Sequence, residues 1–259
     1  MPLIRLPDET TLHWEEQGDG PGVLIASLAY AYPDMVRGLI HDLATDHRVV
    51  APDLRGTGSS SRHGPYDMET DLADLTSVLE EIGGVAVAIG LGDGCLRAIE
   101  LAAARPDLVE IVLLSGYAPL FRGESRDTEG LSASAPVLSA LVRLLETDYR
   151  AAVRTIVEVG NLDLDEATVR ERVDRVVAHC SHEAAVARMR AWTQAEAGEA
   201  ARALGDRLWI LHHPRNPWFS GELAERIPEL LPEARIESVA DGAVSRPDLT
   251  AAVVRRITS

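Results

Sequence analysis

Residues 85–115 read VAVAIGLGDGCLRAIELAAARPDLVEIVLLS, and the order of patterns in this stretch decides the fold. VAVAIG (85–90) is a short apolar run bounded by glycines, the mark of a core strand. Cys95 to Ala104 is a mostly small and apolar stretch long enough for a helix and stopped before Pro106. LVEIVLLS (108–115) returns to the strand pattern. Strand, glycine turn, helix and strand make a crossover unit, and crossover units put their strands parallel.

Working outward from this unit, the same alternation continues on both sides. Towards the N-terminus, residues 3–6 and 10–16 read as an antiparallel hairpin around Pro7-Asp8-Glu9, GVLIAS (22–27) and HRVVAPD (47–53) as core strands. A helix from Pro33 to Ala44 places Met35, Leu39, Ile40 and Leu43 on one face. A second, Met68 to Ile82, repeats Leu72, Leu75, Val78, Leu79 and Ile82 and ends at Gly83-Gly84. From about Phe121 to Leu204 only helical patterns occur, among them 135–146, 149–159, 166–180 and 183–196. Alternation resumes with RLWILHH (207–213), a helix over 221–231, RIESVA (235–240) and a closing helix over 247–257. These patterns predict an α/β domain with a mostly parallel, doubly wound sheet and an N-terminal hairpin. Its core is expected at 1–120 and 205–259, with a helical cap inserted at 121–204.

A chain of 259 residues, 46% hydrophobic, is long enough to bury one large core. Its formal net charge is −16, and all 25 basic residues are arginine. Such a balance argues against nucleic acid as a partner, since phosphate contacts need a positive face. No run of about 18 apolar residues suggests a membrane span, and MPLIRLPDETTLHW lacks the basic start and apolar run of a signal peptide. A cytoplasmic location is therefore expected. Cys95 and Cys180 are far apart and lack a CxxC partner, so neither a disulfide framework nor a thiolate metal site is expected. His179, Cys180 and His182 do not share one helical face, and no metal or other cofactor is expected there.

APDLRGTGSS (51–60), the strand VAVAIG, the turn GLGDG, the small-residue helix, ARPDLV and IVLLSG together resemble the α/β-hydrolase superfamily. The resemblance runs over nearly the whole chain, and its specificity comes from several motifs in the right order. Within that superfamily it is similar to the capped group containing esterases, peroxidases and epoxide hydrolases. The resemblance implies a nucleophile at the centre of G-x-S-x-G, on a tight turn from strand to helix. Here the motif reads Gly90-Leu91-Gly92-Asp93-Gly94, and Gly92 stands at the nucleophile position. Shifted by one residue, Asp93 becomes a carboxylate nucleophile; unshifted, it reads as a cap at the helix start, where a carboxylate meets free amides.

The resemblance also implies an acid after the strand that follows the cap and a histidine after the last strand. Those positions fall on Asn216, in His213-Pro214-Arg215-Asn216, and on Ala243, in Ala240-Asp241-Gly242-Ala243. An amide orients a histidine without stabilising an imidazolium, and alanine offers no base. His212 and His213, at the end of a strand, are the candidates for a substitute base. Leu28, Ala29, Tyr30 and Tyr32 replace the usual His-Gly oxyanion loop, and with Asp93, His212, Trp218 and Phe219 they are the expected pocket residues. Asp53 and Arg55-Gly56 look like the family's structural turn.

These features favour a pseudoenzyme without a Ser-His-Asp triad, binding a small apolar molecule or a partner protein, with a homodimer also open. One alternative is a non-hydrolytic cyclase, lyase or isomerase of specialised metabolism that works by orienting its substrate. Another is a hydrolase with relocated catalytic groups.

Overall fold

The computed structural model describes residues 2–28, 33–115, 135–160, 164–214 and 221–259. Among them, β1 (Leu3–Arg5), β2 (Thr11–Gln17), β3 (Gly22–Ala26), β4 (Arg48–Pro52), β5 (Val85–Leu91), β6 (Val109–Ser115), β7 (Leu208–His212) and β8 (Arg235–Ser238) form one sheet. Its strand order is β1-β2-β4-β3-β5-β6-β7-β8. β1, β2 and β4 pair antiparallel in turn, and every pairing from β4 to β8 is parallel. The expected hairpin is present, and its second strand extends the parallel sheet at one edge. Residue Glu9 turns the hairpin with φ 70°.

Helices cover both faces because each strand offers apolar side chains alternately to either side. On one face Val23, Ile25, Val87 and Ile89 meet Val36, Leu39 and Ile40 of α1 (Pro33–Leu43) and Val253 and Val254 of α10 (Pro247–Thr258). On the other, Leu24, Ala88, Val112 and Leu114 meet α2 (Met68–Ile82), α3 (Gly94–Ala104) and α8 (Gly198–Leu204) through Leu79, Ile99 and Leu204. α2 has the boundaries its sequence predicts. Asp67 accepts the Thr70 amide at 2.8 Å at its start, and Gly83 ends it in the left-handed region at φ 84°.

Between β6 and β7 lie α4 (Ala135–Thr147), α5 (Tyr149–Gly160), α6 (Glu166–His179), α7 (His182–Gln194) and α8. α8 packs against α3. The α6–α7 junction is fastened to the turn after β4: Ser181 N donates to the Gly56 carbonyl at 2.8 Å and Gly58 N to the His179 carbonyl at 2.9 Å. α9 (Gly221–Leu230) precedes β8. No described helix is long and apolar enough to cross a membrane.

Candidate functional site

In parallel α/β sheets ligands gather at the carboxyl ends of the strands, where β5 turns into α3. Leu91 ends β5, Gly94 begins α3, and Gly92 between them has φ 55°. A side chain in that left-handed conformation costs about 1–2 kcal/mol, a cost that glycine at position 92 avoids. The two flanking glycines are required by close approach. A Cβ on Gly90 would lie 2.6 Å from Cys95 Cα, and one on Gly94 would lie 2.0 Å from the Ala26 carbonyl oxygen. At Gly92 the obstruction is softer: a Cβ would meet Leu28 Cδ2 at 2.3 Å, the far end of a flexible side chain. Leu28 therefore sits against the turn.

Asp93 is not the cap that its sequence position predicts. It has helical dihedrals, φ −66° and ψ −18°, and its side chain makes no capping bond. A stronger partner takes the carboxylate: Arg97, one turn further along α3, donates from Nη2 to Asp93 Oδ2 at 2.8 Å. Arg97 also donates from Nε to Asp71 Oδ2 at 2.9 Å. Arg188 of α7 meets the same Asp71 through two bonds, at 2.9 and 2.7 Å, and donates to the Arg55 carbonyl at 2.7 Å. Arg55 in turn holds Asp74 by two bonds of 2.7 Å and reaches Asp8 at 3.0 Å.

Arg97, Arg188 and Asp71 are each buried, with side chains 2% exposed. Burial raises the Asp71 pKa, but hydrogen bonds from Arg188 and the two guanidinium charges outweigh it and hold the carboxylate below its usual range. For Arg97, burial works against the charge while Asp93 and Asp71 hold it charged. This lattice ties α2, α3, α7 and the turn after β4 together beside the β5–α3 turn. Sequence reasoning missed it. The available signal was Arg97, an arginine in the first turn of a mostly small and apolar helix whose other charged residue is Glu100.

The ends of β7 and β8 bring a second pair together. Sheet register aligns Leu91, Ser115, Leu211 and Glu237 in one row. Gly92 and His212 each follow their row by one residue, two inter-strand spacings or about 10 Å apart. His212 faces Ser238 across the ladder. His213, next along, places Nδ1 4.0 Å from Asp241 Oδ1, with side chains 13% and 24% exposed. Asp241 Oδ1 also accepts the Gly242 amide at 2.8 Å. The imidazole lies over Gly242, where a Cβ would come within 2.9 Å of Nε2. Burial pushes the His213 pKa below its ordinary value; Asp241 opposes that shift and His212 adds to it.

Ala243, at the expected histidine position, is 5% exposed and packs in the same cluster as Leu211, Val253 and Val254. Ala29, Tyr30, Tyr32, Asn216, Trp218 and Phe219 lie outside the described residues.

The remaining reactive side chains are held in structural roles. Cys95 is fully buried and donates to the Gly90 carbonyl at 3.3 Å, and burial drives its thiol pKa well up, so it is not a nucleophile. Burial likewise pushes Cys180 up to about 11. His182 Nε2 bonds the Leu145 carbonyl at 2.6 Å, and His179 Nε2 lies 3.7 Å from Asp53 Oδ1. Asp53 Oδ2 accepts the Ser59 amide at 2.9 Å, which fits its expected role in the turn. Among the described residues no group of three or more His, Cys, Asp or Glu is placed to hold a metal ion.

Comparison with known proteins agrees with this geometry at the level of the fold. The chain is 33% identical over 132 residues to an epoxide hydrolase of Caballeronia sordidicola, a match covering 48% of this chain and 39% of that protein. It is 25% identical over 144 residues to a pimeloyl-[acyl-carrier protein] methyl ester esterase of Aliivibrio salmonicida, covering 56% and 53%. The matched stretch thus spans about half or less of these relatives' own length. Its fold superposes on an esterase from Exiguobacterium antarcticum with a TM-score of 0.82 at 20% identity, over 99% of both chains. Residues 19–253 match the model of the alpha/beta hydrolase family. The chain belongs to the α/β-hydrolase family.

Proposed function

We propose that this protein keeps the ligand-binding scaffold of the α/β-hydrolase family without its acyl-enzyme chemistry. Gly92 carries the reading: the residue in the left-handed conformation between β5 and α3 is one with no side chain. Glycine there leaves no oxygen to attack a carbonyl. Two further features support the same conclusion. Asn216 stands where the family's acid is expected, and Ala243 is packed into the core where a histidine is expected. Asp93 does not serve as a replacement nucleophile, because its carboxylate is engaged by Arg97.

On this reading a small, largely apolar molecule binds at the strand ends beside Leu28 and His212. Residues 121–204 act as the cap over a core of 1–120 and 205–259. Steady-state assays against p-nitrophenyl esters from acetate to palmitate test the proposal. Rates equal to those of the heat-denatured protein are expected, and saturable turnover that survives repurification would overturn it. A second reading, catalysis without a covalent intermediate, is favoured by one observation, the approach of His213 to Asp241.

A further inference from the structure

We propose that His213 and Asp241 form a base-and-carboxylate pair that removes a proton from a small carbon acid at the strand ends. This inference rests on the reading that acyl-enzyme chemistry is absent, since it gives the imidazole a task that needs no nucleophile. The family resemblance puts the acid after the strand that follows the cap and the histidine after the last strand. In this chain the two residue types are exchanged: the imidazole follows β7 and the carboxylate follows β8.

Three observations carry the pair beyond chance proximity. First, Nδ1 of His213 is buried and has no hydrogen-bond partner among the described residues, while Asp241 Oδ1 stands 4.0 Å away. A small closing movement lets Nδ1–H donate to that carboxylate, which fixes the tautomer and leaves the Nε2 lone pair to take a proton. Second, the ring occupies the space that a side chain at Gly242 would fill. The turn that holds Gly242 is itself pinned, its carbonyl accepting from Ser245 N at 3.1 Å and Arg246 N at 2.8 Å. Third, the pair follows the carboxyl ends of β7 and β8, two strands and about 10 Å from the β5–α3 turn, where the first turn of α3 offers amides and the positive end of a helix dipole.

Chemically, the electron pair of an acidic C–H bond moves towards an adjacent carbonyl or into a leaving group, and the proton goes to Nε2 of His213. The resulting imidazolium faces Asp241 and can return the proton to another atom of the same molecule, so no co-reactant is consumed. Asp241 is a positioning residue in this scheme. The groups facing the imidazole are Asp241 and His212, and Arg246 lies near Asp241.

The test uses the full chain and 5-nitrobenzisoxazole, a carbon acid whose C–H proton goes to the base as its N–O bond breaks to give a nitrile and a phenolate. The chain contains no lysine amine, and the background from its other carboxylates and histidines is common to wild type and His213→Gln. The wild-type protein is expected to open the ring about 10²-fold faster than His213→Gln at equal concentration. Asp241→Asn is expected to lower the rate about tenfold and to move the acidic limb of the pH–rate profile to lower pH, because Asp241 is the group that raises the imidazole pKa. Gly242→Ala, which alters no charge, displaces the ring and lowers the rate as well. The His213 imidazole titration followed by NMR gives a readout that does not depend on probe access, with Asp241→Asn expected to shift its midpoint down. Equal rates for wild type and His213→Gln, or an unmoved titration in Asp241→Asn, overturn the proposal. Labelling of a serine by a fluorophosphonate would instead overturn the reading beneath it, and leaves these His213 results distinguishable.

Discussion

Arg188 of α7 meets Asp71 of α2 through two hydrogen bonds, of 2.9 and 2.7 Å, joining residues 117 positions apart in the chain. The helices inserted after β6 are therefore anchored to the core by a buried ion pair as well as by apolar packing. Asp71 also takes a hydrogen bond from Arg97, so Asp71 and Asp93 together compensate two buried guanidinium groups. Replacing Asp71 with alanine strands Arg188, while Arg97 keeps Asp93. Urea denaturation should show a loss of about 3–5 kcal/mol for Asp71→Ala, the usual cost of a buried charge left without its partner. Arg188→Ala should cost less, since Arg97 remains beside Asp71. An Asp71→Ala variant as stable as wild type contradicts this lattice.

The glycines of the β5–α3 turn differ in what they tolerate. Gly94→Ala drives a Cβ into the Ala26 carbonyl oxygen, a backbone atom that cannot step aside, and should abolish folded expression. Gly92→Ala meets only the end of Leu28 and pays the left-handed backbone cost of about 1–2 kcal/mol. Thermal melts of the two variants, and of Gly92→Ala combined with Leu28→Ala, check the ordering. Gly94→Ala being milder than Gly92→Ala would contradict it.

Much of the fold was legible in the sequence because its signals are local. The apolar repeat at Leu72, Leu75, Val78, Leu79 and Ile82 and the stop at Gly83 give α2 its observed bounds. The glycine turn between β5 and α3 was equally plain. Partners distant in the chain were not. Asp93 looked like a cap because every helix start offers amides, although its i,i+4 spacing from Arg97 was a local signal for the ion pair that forms instead. His213 was a candidate base at a strand end, but its carboxylate became visible only when β7 and β8 paired and brought residue 241 alongside.

Acid should destabilise the protein before its carboxylates protonate. Burial lowers the pKa of His213 from its ordinary 6.5, with Asp241 opposing and His212 assisting. Burial lowers His179 from the same value, with Asp53 opposing and Arg62 assisting. An imidazole with a depressed folded-state pKa binds fewer protons folded than unfolded, so its stability contribution is intact above 6.5 and is lost as pH falls towards the folded value. Urea midpoints measured from pH 8 to pH 5 should fall, and the fall should shrink in His179→Gln and His213→Gln. A midpoint that rises on acidification contradicts the assignment.

Restoring the expected histidine should harm the fold. Ala243 packs with Leu211, Val253 and Val254, and an imidazole there overfills the layer between β7 and α10. Ala243→His should lower stability by about 1–3 kcal/mol in urea. A neutral substitution would mean that the position has room for the family's base.

Intact-mass spectrometry after incubation with a fluorophosphonate asks most directly whether a nucleophile operates at the β5–α3 turn. The expected spectrum shows the unmodified chain alone, at every time point. A stoichiometric phosphonyl adduct, formed by the native protein, absent after denaturation and mapped to a serine, would contradict the account.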